Sequence, residues 1–314
     1  MTVPLDPQAE DFLRQQRLAG NKVWELMTPF EARDAARTFK PFSGKPEAVA
    51  SLDHLFIPGP TADLPLWIYR PKQDLEALQP ALIYFHGSGW VVSNIETADP
   101  FSRSLANRSG CVIIAVNYQK APEHKFPLPF DDCYAATEWV FNNSTDLRID
   151  PARIGVLGDS AGGNLAAAVA LKARDQNGPA IKLQVLIYPA VAYAWDTPSY
   201  LANAEGYGLQ RAGMIYFWNH YIHQPSDASN PYFSPLSAKD HSGLPPAFIV
   251  AAEYDPLCDD AENYARKLEM AGVKVKFNLY RGMIHGFLWM AGVFDQSRAL
   301  IDEIAQQVKI GLAD

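Results

Sequence analysis

The residue best placed for covalent chemistry is Ser160, in Gly158-Asp159-Ser160-Ala161-Gly162, a match to Gly-x-Ser-x-Gly. An apolar run from Ile154 predicts a strand ending at Gly158, and the alanine-rich stretch Leu165–Ala173 predicts a helix. Glycines on either side of the serine remove Cβ atoms that would clash where a strand doubles back into a helix, which leaves the hydroxyl exposed. Read blandly, the same pentapeptide is a glycine-rich turn with a capping serine. A serine hydroxyl is a weak nucleophile at neutral pH, so the chemical reading requires a base and a group that orients it. Strand-borne hydrolases place these after the serine, acid first and histidine second. The acid expected here is Asp255, in Glu253-Tyr254-Asp255-Pro256-Leu257, just past a predicted strand. Asp259 and Asp260 compete but are expected to open the next helix, and Glu253 is expected to lie still in the strand. Among seven histidines only His285, in Met283-Ile284-His285-Gly286-Phe287, follows the acid. A neutral imidazole there can take the Ser160 proton and return it to a leaving group. Donors for a developing oxyanion are expected from the backbone of Gly87-Ser88-Gly89, after an early strand, and from the Ala161 N–H. His86 is read as a loop-fixing group. His220-x-x-His223 has metal-ligand spacing but no third ligand nearby in sequence, so no metal site is expected.

Such residues need a scaffold that brings distant loops together. Strands are expected over Leu52–Ile57 and Leu64–Tyr69, split by Pro58-Gly59-Pro60, and then over Ala81–His86, Cys111–Val116, the run at Ile154, Leu183–Tyr188, Ala247–Ala252 and Val273–Tyr280. Helices are expected over Pro100–Arg108, Asp131–Phe141, from Leu165, Asp259–Ala271 and Gln296–Ile310. From Ala81 onward the strands are apolar throughout and alternate with helices, which predicts an α/β fold, a mostly parallel sheet covered on both faces. The first 45 residues read as short amphipathic helices, Ala9–Leu18 and Trp24–Arg37. Residues 193–226 interrupt the rhythm with Tyr193, Trp195, Tyr200, Tyr207, Tyr216, Phe217, Trp218 and Tyr221. The expected division is a catalytic core of 46–192 and 227–314 beneath a helical cap of 1–45 and 193–226, built as one unit. A helix packed against the sheet edge remains the alternative for the aromatic stretch.

Bulk properties narrow the partners. The 314 residues carry a formal charge of −8 without a Lys/Arg cluster, which argues against nucleic acid and suits a small neutral substrate. No apolar run approaches the roughly 18 residues of a membrane span, and the N-terminus, with Asp6, Glu10 and Asp11, lacks a signal-peptide core, so a cytoplasmic protein is expected. Three cysteines, Cys111, Cys133 and Cys258, form no disulfide or metal pattern.

Several ordered motifs together resemble the hormone-sensitive-lipase family of α/β hydrolases, the bacterial family IV esterases. They are His86-Gly87-Ser88-Gly89-Trp90, Asn117 to Pro127, Gly158 to Gly163, Tyr188-Pro189, Asp255-Pro256-Leu257 and His285-Gly286-Phe287. The resemblance implies an α/β-hydrolase fold and a serine carboxylesterase with triad Ser160, Asp255 and His285. It also implies an oxyanion hole at the glycine loop and Ala161, a cap over the site, and action on short- to medium-chain acyl esters without a cofactor. A homodimer is compatible with it. Ser88 replaces the family's middle glycine, and Gln119-Lys120 replaces its usual Arg-Leu. An amide hydrolase of arylformamidase or deacetylase type would use the same triad. A small-molecule binding protein on this fold is the other alternative, as in plant gibberellin receptors, which lack the histidine that this chain retains.

Overall fold

The structure is a computed structural model and describes residues 3–72 and 78–313. In chain order, helices α1 (Pro7–Leu18) and α2 (Pro29–Arg37) precede strands β1 (Ser51–Ile57), β2 (Leu64–Arg70) and β3 (Gln79–Phe85). Next come α3 (Asp99–Ser109), β4 (Val112–Val116), α4 (Leu128–Asn142), β5 (Ile149–Asp159), α5 (Ala161–Asp175) and β6 (Gln184–Ile187). The chain ends with α6 (Pro198–Ala202), α7 (Arg211–Tyr221), β7 (Ala247–Tyr254), α8 (Cys258–Met270), β8 (Val275–Ile284) and α9 (Asp295–Gly311).

All eight strands form one sheet in the order β1-β2-β4-β3-β5-β6-β7-β8. β1, β2 and β4 pair antiparallel, and every pairing from β4 to β8 is parallel. The unbroken apolar strands follow from burial on both faces. In β3, Ala81, Ile83 and Phe85 join the core layer on one side, while Leu82 and Tyr84 join the layer on the other. Cys133 and Val140 of α4, Leu165 and Val169 of α5 and Leu268 of α8 fill the first layer; Leu105 of α3 and Ile304 of α9 fill the second. Twelve of the 15 residues of α5 are buried, so this helix has no solvent face, and its alanines allow the close approach that such a position demands. Among the described residues no helix is long and apolar enough to cross a membrane.

The helix expected over Trp24–Arg37 is two elements. Residues Trp24–Leu26 make one 3₁₀ turn, the chain extends at Met27, and α2 starts at Pro29. Proline at the first helical position has no N–H to leave unsatisfied, and Thr28 and Glu31 close a capping box around the new start. β8 runs four residues further than expected, to Ile284.

Candidate active site

Parallel strands bring their carboxyl ends to one edge of the sheet, and each proposed catalytic residue is the first residue beyond such an end. Ser160 follows β5, Asp255 follows β7 and His285 follows β8, while the loop from His86 to Gly89 follows β3. β6 and β7 lie between β5 and β8, so the side chains must reach across about 10–15 Å of sheet. A register shift interrupts the pairing of β7 and β8 at Ala252/Tyr254, just before Asp255.

Ser160 sits at φ 55°, ψ −121°, outside the regions that an L-residue favours. The surroundings enforce it. Its N–H donates to the Ile187 carbonyl at 2.9 Å, fixing the turn to β6. A Cβ on Gly158 would stand 2.0 Å from the Gly162 oxygen, and one on Gly162 would stand 1.9 Å from the Phe85 oxygen. Both flanking glycines are therefore required by contact with backbone.

His285 lies between the other two residues. Its Nε2 is 2.9 Å from the Ser160 Oγ and its Nδ1 is 2.6 Å from Asp255 Oδ2. Asp255 is fully buried, and its second oxygen accepts the Leu257 N–H at 2.9 Å. The Tyr188 ring packs on the imidazole with centroids 4.6 Å apart. Asp259 and Asp260 lie in the first turn of α8 and do other work: Asp259 accepts the Ser199 N–H, and Asp260 accepts the Ala192 N–H.

The loop after β3 is pinned on two sides. The Gly87 N–H donates to Asp159 Oδ1 at 2.8 Å, so this amide is already spent. The amides of Ser88, Gly89 and Ala161 meet no protein acceptor among the described residues. The Ser88 hydroxyl is 2.5 Å from the Tyr118 hydroxyl, which donates to the His86 carbonyl at 2.7 Å. This contact ties the departure from glycine at position 88 into the core. His86 stacks on Tyr118, places Nδ1 3.2 Å from the Gly87 oxygen, and is held well below the usual histidine range by burial, which suits a neutral loop-fixing ring. Gln119 meets Asp132, its backbone N–H donating to Oδ2 at 2.8 Å.

Residues 82–289 match the family model described as the alpha/beta hydrolase fold. The carboxylesterase NlhH of Mycobacterium tuberculosis is 40% identical over 230 residues, 72% of either chain. An arylesterase of Saccharolobus solfataricus is 35% identical over 98% of this chain and 99% of its own. The chain belongs to the hormone-sensitive-lipase-like family of α/β hydrolases. Among solved structures, an ester hydrolase from the metagenome of Lake Arreo superposes with a TM-score of 0.94 at 37% identity, covering 98% of each chain.

Above the site of this α/β hydrolase lies a cavity of about 430 Å³ that includes Ser160 and His285. Its inner wall is apolar, with Phe12 and Leu13 of α1, Met214 and Phe217 of α7, and Met290. Exposed Arg17, Asn21 and Lys22 form part of its outer lining. Phe217 closes on the loop so tightly that a Cβ on Gly89, at φ 54°, would lie 2.3 Å from its ring. Two further groups near the site are not apparent from the sequence. Asp159 fills the variable position before Ser160, and nothing in a pentapeptide tells where its side chain points. Asn203, in the insertion, donates to the Asp255 carbonyl at 3.1 Å, a contact between residues 52 apart that no local pattern announces. His220 Nδ1 sits 2.8 Å from the Tyr216 oxygen, within its own helix.

Proposed function

We propose that this α/β hydrolase is a serine carboxylesterase that cleaves short- to medium-chain acyl esters through an acyl-enzyme on Ser160. The observation that carries the reading is the continuous chain from Ser160 Oγ through the imidazole to Asp255, at 2.9 and 2.6 Å. With the proton on Nδ1 donated to Asp255, the Nε2 lone pair faces the serine hydroxyl. As Oγ bonds to the ester carbonyl carbon, Nε2 takes the hydroxyl proton, and buried Asp255 stabilises the imidazolium. The carbonyl oxygen, now negative, takes hydrogen bonds from the free amides of Ser88, Gly89 and Ala161; the Gly87 amide belongs to the scaffold rather than to this set. When the tetrahedral intermediate collapses, the bond to the alcohol oxygen breaks and the imidazolium protonates the departing alcohol. Water then attacks the acyl-enzyme, giving its proton to Nε2, and the acid leaves as Ser160 recovers a proton. We read α1, α2 and residues 193–226 as the cap, whose apolar side chains hold the acyl or alcohol group.

Hydrolysis of p-nitrophenyl esters from acetate to palmitate, by wild type and Ser160→Ala in parallel, tests this. Expected are a maximum at short to medium chains and a loss on the order of 10⁴- to 10⁶-fold in kcat for the variant. A folded wild type inactive on every ester would refute the reading, and a matched anilide run beside the best ester would show whether amides are the preferred substrates.

A further inference from the structure

The residue beside the nucleophile bears a carboxylate that the reaction itself does not use. Asp159 is 3% exposed, and its Oδ1 accepts two hydrogen bonds, from the Tyr84 hydroxyl at 2.7 Å and from the Gly87 N–H at 2.8 Å. Burying a carboxylate is costly unless donors meet it, so this contact is maintained against a penalty. We propose that Asp159 is the positioning residue of the oxyanion loop: anchored by Tyr84, it fixes the Gly87 amide and so aims the amides of Ser88 and Gly89 at the ester oxygen. The proposal rests on the esterase reading above.

Three features support it. First, the anchor is rigid: Tyr84 is fully buried in β3, paired within the sheet, and its ring packs edge-on against Phe101. Secondly, the contact admits no side chain. A Cβ on Gly87 would lie 2.2 Å from Asp159 Oδ2, so glycine lets the loop approach the carboxylate. Thirdly, the rest of the loop is clamped independently, by Tyr118 at Ser88 and by Phe217 at Gly89. A peptide unit is planar, so fixing one amide and the following clamps leaves the intervening donors little freedom. Donors held ready before the charge develops are what make an oxyanion hole effective, since no reorganisation is needed during the reaction.

The test uses Asp159→Asn, Asp159→Ala and Tyr84→Phe in the full-length protein, with kcat and KM on p-nitrophenyl butyrate. Inhibition by an alkyl trifluoromethyl ketone is measured in parallel, because its adduct on Ser160 carries a real oxyanion. Asp159→Ala is expected to lower kcat about 10- to 100-fold with KM within about threefold, and to weaken the ketone by a similar factor. Asp159→Asn, which keeps one acceptor oxygen, should fall between it and wild type, and Tyr84→Phe should lose about three- to tenfold. Should Asp159→Ala fail to fold, the two conservative variants carry the test. Folded variants with wild-type kcat and wild-type ketone affinity overturn the proposal, as does a rise in KM at constant kcat. Ser160→Ala is the separate control: activity surviving in it would overturn the esterase reading itself.

Discussion

At the scale of single residues, the Asp159 carboxylate also marks a conflict between stability and charge. Burial raises it from 3.8 to about 6, only partly offset by the bonds from Tyr84 and Gly87. Below about pH 4 the group is protonated in both folded and unfolded chains. Between pH 4 and 6 the unfolded chain gives up the proton first, so the folded state loses stability as pH rises, by about 3 kcal/mol once both forms are ionised. Asparagine does not titrate. The melting temperature of Asp159→Asn relative to wild type should therefore climb from pH 4 to pH 7 and then level off; a difference independent of pH would contradict the assignment. The three residues of the Ser160–His285–Asp255 chain were legible from sequence because their neighbours are unusual: flanking glycines, a proline after the acid, and a position after predicted strands. Asp159 was not, since its partners Tyr84 and Gly87 are more than 70 residues away and meet it only after β3 and β5 pair.

Elements were legible in proportion to their burial. β3 through β7 were found within a few residues because strands covered on both faces read as solid apolar runs. The sequence pattern ends β8 at Tyr280, because Arg281 and Gly282 break the apolar run, yet the strand continues to Ile284. Its Gly282 amide is held by Glu253, at 2.8 Å. The aromatic insertion was visible as an anomaly, but its two helices were not separable, since aromatic side chains line both the core layer and the cavity wall. α7 offers a direct probe of that wall. Phe217 touches Gly89 and Trp24, whose ring centroid is 5.8 Å away. Phe217→Ala should shift the preferred p-nitrophenyl ester towards longer acyl chains by at least two carbons, with a stability loss of about 3 kcal/mol in chemical denaturation. An unchanged chain-length profile would place the acyl group elsewhere.

For the whole molecule, the N-terminal helices are fastened to the sheet rather than laid over it. Ala9, Phe12 and Leu13 of α1 belong to one core layer, and Ala32 and Ala36 of α2 to the other. Arg33 of α2 donates to the carbonyls of Val91 and Ala121, both at 3.0 Å, and pairs with Glu123. Nearer the N-terminus, the Val3 N–H reaches Glu253 at 3.3 Å, and Tyr254 donates to the Val3 carbonyl at 2.6 Å, one residue before Asp255. The proposed cap and the core should then melt together, giving one calorimetric transition whose van't Hoff and calorimetric enthalpies agree; two resolved transitions would show the proposed cap to be a separate unit. The proposed cap lines the cavity above Ser160 with apolar side chains, and water is itself a reactant in the second half of the cycle. The acyl group waiting on Ser160 is thus open to capture by any hydroxyl compound that enters an apolar chamber more readily than water does. With millimolar butanol added to a vinyl or p-nitrophenyl ester, butyl ester should accumulate in a proportion exceeding the alcohol's share of the solvent, as gas chromatography would measure. The same fold would then work as a synthetic acyltransferase, its direction set by what wets the walls.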